Sequence, residues 1–206
     1  MPGMPSRILL ASCLAAGPAA VPTASEASAV EPFVATSVNG AEVIMPRTGI
    51  GLFCTSSEVR GTGLNLRLTR AVASGSASSQ SNAGSIESFS ATGCSTPVGV
   101  INIQMEGTWG VDAVQFDPEQ PGFIDAVLTD VVVRFTGAGC TGKATGGLPI
   151  AYSRRNAFIT AKPEVPNPAS AKITISEISD ACWGFLELNE EVTWTADYNV
   201  VWNPAS

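Results

Sequence analysis

The sequence predicts an all-β protein, an antiparallel β-sandwich or closed β-barrel of roughly ten strands stapled by two disulfides. Three observations carry this expectation. Apolar residues recur with period two, turn-forming residues separate the apolar runs, and four evenly spread cysteines follow a secretory-type leader in a chain with no histidine.

In chain order, residues 1–29 come first. Arg7 precedes a weakly apolar run from Ile8 to Val21, and Ala27-Ser28-Ala29 is the small-x-small pattern accepted by signal peptidase, which predicts cleavage before Val30. Gly17 and Pro18 interrupt the run, and it is far shorter than the roughly 20 apolar residues of a membrane span. A rival reading takes Leu10-Ala11-Ser12-Cys13 as a lipobox with Cys13 lipidated. Only about five apolar residues would then separate Arg7 from Cys13, against an ordinary apolar region of about 7 to 15. A soluble exported chain is the preferred reading, with a lipid anchor through Cys13 as the minor one.

Residues 30–206 read as one all-β domain. Val30 to Ser37 is a ragged arm or a first strand, and Asn39-Gly40 and Gly61 to Gly63 read as turns. Leu64, Leu66 and Leu68 alternate with polar neighbours, as do Ile101, Ile103 and Met105, and Ile173 and Ile175. Such alternation marks strands with one face buried and one wet. Ser74 to Ser85 is almost purely small and polar and reads as a mobile loop. Phe123 to Phe135 is more continuously apolar, as in a strand covered on both faces. Asp117 to Gly122, Gly146-Gly147 and Pro163 to Pro168 read as turns, and Val192, Trp194, Ala196, Tyr198 and Val200 form the inward phase of a closing strand.

Cys54, Cys94, Cys140 and Cys182 are read as two disulfides, since an oxidising compartment lets them persist. Three connectivities are open and the sequence does not choose among them. Sequential pairing would close two loops of about 40 residues, each worth roughly 4 kcal/mol on a chain-entropy argument. A zinc site is disfavoured, because there is neither a CxxC pair nor a histidine. No metal and no cofactor is expected. The formal net charge of −7, with no basic cluster, disfavours nucleic acid and anionic membrane surfaces as partners.

Phe89 to Cys94 and Phe135 to Cys140 echo one another, each running through small residues into a cysteine, with Ile178 to Cys182 as a looser third copy. Together with Gly107-Thr108-Trp109 and the closing Val192-to-Val200 strand, these residues resemble small secreted, disulfide-containing β-rich proteins of actinomycetes, a group without an established activity. The resemblance covers roughly residues 50 to 203 and rests on short motifs. It implies an exported, disulfide-linked β-fold and transfers no catalytic residue.

The chemistry-bearing patterns are sparse. Gly137 to Lys143 matches GxxxxGK, but Ala144 stands where a magnesium-binding hydroxyl is needed and Gly146 to Pro149 cannot open a helix, so a hairpin loop is expected. With no histidine, serine nucleophiles lack their usual activator, and no spacing supports a Ser-Lys pair with Lys143, Lys162 or Lys172. Paired carboxylates remain, with Glu106, Asp112, Glu187, Glu190 and Glu191 as candidates. Glu106 is on the wet phase of its strand, and Glu190-Glu191 reads as solvated charge in a turn. Asp117, Glu119 and Asp125 lack calcium-loop spacing.

Trp109, Trp183 and Trp202 are the candidate ligand-binding aromatics. They line a sugar-binding surface, or they plug the ends of the fold, which is the favoured alternative. The sequence therefore predicts an exported, non-catalytic β-protein, a binding module or envelope component for an unknown extracellular or cell-wall ligand. A carbohydrate-binding or glycoside-hydrolysing module is the first alternative. A carrier of a small apolar ligand is the second, recognisable by an unfilled pocket among inward-facing aliphatic side chains.

Overall fold

The structure is a computed structural model that describes residues 30–64, 80–97, 99–116, 123–137, 139–153, 156–161, 171–182 and 186–203. The leader with Cys13, the Leu66 and Leu68 positions, and the segments 117–122 and 163–168 lie outside the described residues. The strands are β1 (Val30–Met45), β2 (Ile50–Cys54), β3 (Ser56–Leu64), β4 (Gln80–Thr92), β5 (Ser95–Thr96) and β6 (Gly99–Met105). They continue with β7 (Trp109–Phe116), β8 (Phe123–Gly137), β9 (Cys140–Ser153), β10 (Phe158–Ala161), β11 (Ile173–Ile178) and β12 (Glu191–Trp202). A single 3₁₀ turn, Asp180–Cys182, interrupts the all-β pattern among the described residues.

Every pairing is antiparallel, and the sheet closes on itself as a barrel in two storeys. The lower ring runs β1–β3–β4–β7–β8–β9–β10–β12 and returns to β1. The upper ring runs β1–β2–β5–β6–β8–β9–β11–β12 and also returns to β1. The long strands β1, β8, β9 and β12 thus serve both storeys, and shorter strands complete each ring. A barrel of this girth encloses a space just wide enough to be filled by side chains or to hold one small ligand. Among the described strands, each ring closes on itself, which removes the open edges that seed association.

The period-two pattern places the core. Trp194, Ala196, Tyr198 and Val200 of β12 are all buried, as are Ala35 and Val43 of β1 and Ile103 of β6. In β8 the run is denser, with Ile124, Ala126, Val127 and Leu128 all buried, while Val132 is half-buried. Val30 to Ser37 forms the start of β1.

Several residues read from sequence as turns lie inside strands. Gly61 to Gly63 belong to β3, and residues from Gln80 onward, the end of the small polar stretch, begin β4; residues 74–79 lie outside the described set. Asn39-Gly40 sits in the middle of β1 at a register shift between Ser37 and Ala41, and Gly146 in β9 faces a shift between Leu128 and Val131 of β8. The first shift places two extra residues in β1 and the second one extra residue in β8, where Asp130 has φ +55°; such β-bulges bend a strand and increase its twist. Gly40 has φ +81° and a Cβ there would lie 2.3 Å from the Cys54 carbonyl oxygen. Gly146 has φ +145° and a Cβ would lie 1.8 Å from the Lys172 carbonyl oxygen. The bends let one strand follow both rings where a straight strand would leave the barrel.

The disulfides are sequential, Cys54–Cys94 and Cys140–Cys182. The first joins the two places where the chain steps between storeys, from β2 to β3 and from β4 to β5. There the Thr55 N–H also donates to the Thr92 carbonyl at 3.1 Å. The second ties the β8–β9 hairpin to the turn after β11, at the upper rim.

Candidate functional site

The barrel interior is the site that the fold builds. In the upper storey the inward side chains pack in one core cluster without filling the space between them. They leave a cavity in which the volume open to the centre of a water-sized sphere is about 80 Å³. One such sphere needs about 10–15 Å³, so the space takes several methyl-sized groups. Its wall includes Val43, Leu52, Ile103, Val133, Ala144 and Ile175, and Thr96 supplies the one side-chain hydroxyl. Protein interiors ordinarily leave few voids larger than a single water. An apolar void of this kind stays dry and accepts apolar guests.

A second compartment of about 50 Å³ lies in the lower storey, lined by Ala35, Ile86, Leu128, Leu148 and Ile150 together with three aromatic rings and Tyr198. Val133, Ile173 and Trp194 line both compartments and so form the waist between them. The rings make a row along one wall. Trp109 faces Phe89 with centroids 5.7 Å apart, and Phe89 meets Trp194 edge-on at 5.3 Å. The lower end is plugged. Trp202 packs on Phe33 at 5.2 Å and its indole N–H donates to the Tyr152 hydroxyl at 3.0 Å, while Tyr152 packs on Ala83, Ala113 and Ile124.

The candidate tryptophans therefore separate. Trp109 is only 4% exposed and turned into the barrel, so it offers no outer face to a sugar ring. Trp202 is half-buried and packs on Phe33 at the lower end of the barrel. Trp183 lies outside the described residues. Trp194 is buried, as its phase predicts.

Buried polar groups brace the barrel. The Ser57 hydroxyl donates to the Tyr198 hydroxyl at 3.0 Å, and the Ser57 N–H donates to Ser37 Oγ at 2.8 Å. Burial pushes the Tyr198 phenol above its ordinary value, against the lowering effect of the bond from Ser57. Glu190 is the residue that sequence reasoning placed wrongly. It is 0% exposed, and its carboxylate accepts from the Thr48 N–H at 2.8 Å and the Thr48 hydroxyl at 3.2 Å. This contact ties the turn between β1 and β2 to the turn before β12. The neighbouring Arg47–Glu187 pair, at 3.5 Å, adds a solvent-exposed contact between the same two turns.

The other candidate carboxylates, Glu106, Asp112 and Glu191, each have their own partner on the outside. Glu106 bonds Arg134 and pairs with Lys143 at 3.5 Å, and Lys143 also reaches Glu177 at 3.5 Å. The hydrogen bond from Arg134 is the largest influence on Glu106 and holds its carboxyl below the usual range. Asp112 accepts the Asn82 N–H at 2.8 Å, and Glu191 pairs with Lys172 at 2.6 Å. Gly137 and Cys140 pair at the β8–β9 hairpin, Cys140 is in its disulfide, and Lys143 lies in β9. Asp125 lies in β8, and Asp117 and Glu119 lie outside the described residues. Among the described residues no group of three or more metal-ligating side chains converges. No described helix is long and apolar enough to cross a membrane.

No family model matches the chain, and neither a curated protein nor a solved structure matches it.

Proposed function

We propose that this chain is an exported binding protein that carries a small apolar ligand inside its barrel. The observation that supports the reading is the apolar upper compartment, a void walled almost wholly by aliphatic side chains. The leader-like residues 1–29 and the two disulfides support export, because disulfides persist in oxidising compartments. Of the three sequence readings, this joins the first, a non-catalytic binding module, to the carrier alternative. The sugar-platform reading draws no support from Trp109, whose ring is enclosed.

The test is calorimetric titration of the protein with toluene. The reading predicts one saturable site, lost in an Ala144→Phe variant that fills the upper compartment and keeps the strand signature in circular dichroism. Absence of saturable binding to the unaltered protein, or undiminished binding to the folded variant, overturns it.

A further inference from the structure

The upper compartment reaches the rim of the barrel. Met45 and Ile50 at the tip of the β1–β2 hairpin, Thr96 at the end of β5, Gly137 and Cys140 at the β8–β9 hairpin, and Leu186 all line it. The opposite end is closed by aromatic rings, with Trp202 packed on Phe33 and bonded to the Tyr152 hydroxyl. A guest therefore has least packed structure to displace at the upper rim, which is made of turns.

One of those turns is held unlike its neighbours. Among the described residues, the pairing of β1 with β12 stops at Ile44, opposite Thr193, and β2 meets β5 in the single pair Phe53 and Ser95. The hairpin tip from Met45 to Leu52 thus projects past its last lateral partners. It carries Met45, Ile50 and Leu52, three residues of the compartment wall. Residues 186–190, which face this tip, are anchored instead. The Leu186 N–H donates to the Cys182 carbonyl at 3.3 Å, the Asn189 N–H to the Ile175 carbonyl at 2.8 Å, and the Ile175 N–H to the Glu190 carbonyl at 2.9 Å. Between the tip and the anchored segment stands the Glu190 carboxylate, fully buried on the Thr48 N–H and hydroxyl. The Arg47–Glu187 pair beside it is exposed at both side chains and adds little. A carboxylate buried in this way holds the tip down only while its hydrogen bonds are made. When the tip lifts, water replaces those bonds at small net cost, whereas opening the lower end exposes whole aromatic rings.

We propose that the β1–β2 hairpin tip is a flap over the upper compartment and that the Thr48–Glu190 contact is its latch. An apolar guest enters and leaves between the tip and residues 186–190 while the latch is open. Neither Thr48 nor Glu190 lines the compartment, so the latch governs the rate of passage and not the fit of the guest. This inference rests on the carrier reading and gives the same interior its route of access.

The experiment follows toluene exchange on the protein by line-shape analysis of its magnetic resonance spectra. Glu190→Gln and Thr48→Val are each expected to speed association and dissociation together about ten-fold, the effect of one hydrogen bond to a charged group. The dissociation constant then moves by less than about two-fold. Trp202→Phe, which removes the bond to Tyr152 at the lower end, leaves both rates unchanged. In the unaltered protein, saturating toluene slows hydrogen exchange at the Thr48 amide more than at the Asn203 amide, which donates to the Pro32 carbonyl at the lower end. That readout stands even if the variants fail to fold. Unchanged rates in the folded latch variants, equal quickening by Trp202→Phe, or a Thr48 amide indifferent to toluene overturns the flap while leaving the carrier reading intact. Absence of saturable toluene binding to the unaltered protein overturns the carrier reading and the flap with it.

Discussion

At the scale of single residues, two buried polar groups that brace the barrel, Tyr198 and Glu190, give sharp expectations. Tyr198 has its phenol raised above the ordinary value of 10.0 by burial. The unfolded chain therefore releases this proton first as pH rises, so the stabilisation is full below about pH 10 and is lost through the higher folded value. Denaturation midpoints at pH 8 and pH 11 are expected to fall more steeply for the native chain than for Tyr198→Phe. The variant also leaves the Ser57 hydroxyl unanswered, which costs about 1–2 kcal/mol at neutral pH. Glu190→Ala removes the acceptor for the Thr48 N–H at the upper rim. Unfolding in urea is expected to show a loss of about 1–3 kcal/mol, whereas Glu191→Ala, on an exposed pair, changes stability by less than about 1 kcal/mol.

At the scale of elements, what was legible in the sequence was the phase of each strand. Ile103, Ile173, Ile175 and the alternating residues of β12 point inward as their period requires, because a pleated strand alternates faces without regard to what it pairs with. What was not legible was the length of the strands. Asn39-Gly40 and Gly146-Gly147 carry turn chemistry, yet Gly40 and Gly146 keep their positive φ inside strands, Gly40 within the bulge of β1 and Gly146 opposite the bulge of β8. Only the partner strand decides between turn and strand, and it comes from far along the chain: Ser37 and Ala41 pair with Tyr198 and Ala196. Glu190 was misread for the same reason, its partner Thr48 being 142 residues away. The bulge account predicts that Gly146→Ala is costly although the residue is exposed. A Cβ would meet the Lys172 carbonyl oxygen in a backbone conformation that L residues avoid. A loss of at least about 2 kcal/mol is expected by thermal unfolding, and a neutral result would contradict the close approach of Gly146 to the Lys172 carbonyl.

At the scale of the whole molecule, two rings of strands share four long members, one disulfide staples the passage between the storeys, and the other staples the upper rim. The compartments inside arise from this closure. Each inward residue is readable from its own strand, but the space they leave depends on all the strands together, so the sequence carried the lining without the void. The singled-out Trp109 belongs to that void and not to the outer surface.

The central claim is that an apolar molecule occupies the interior. Carbon-resolved methyl spectra of the protein during titration with toluene test it most directly. The account predicts saturable shifts at Ile103, Ile175 and Val133, which face the compartments, and silence at the exposed Val38 and Val201. Shifts confined to the exposed methyls, or none at any concentration toluene reaches in water, would contradict it.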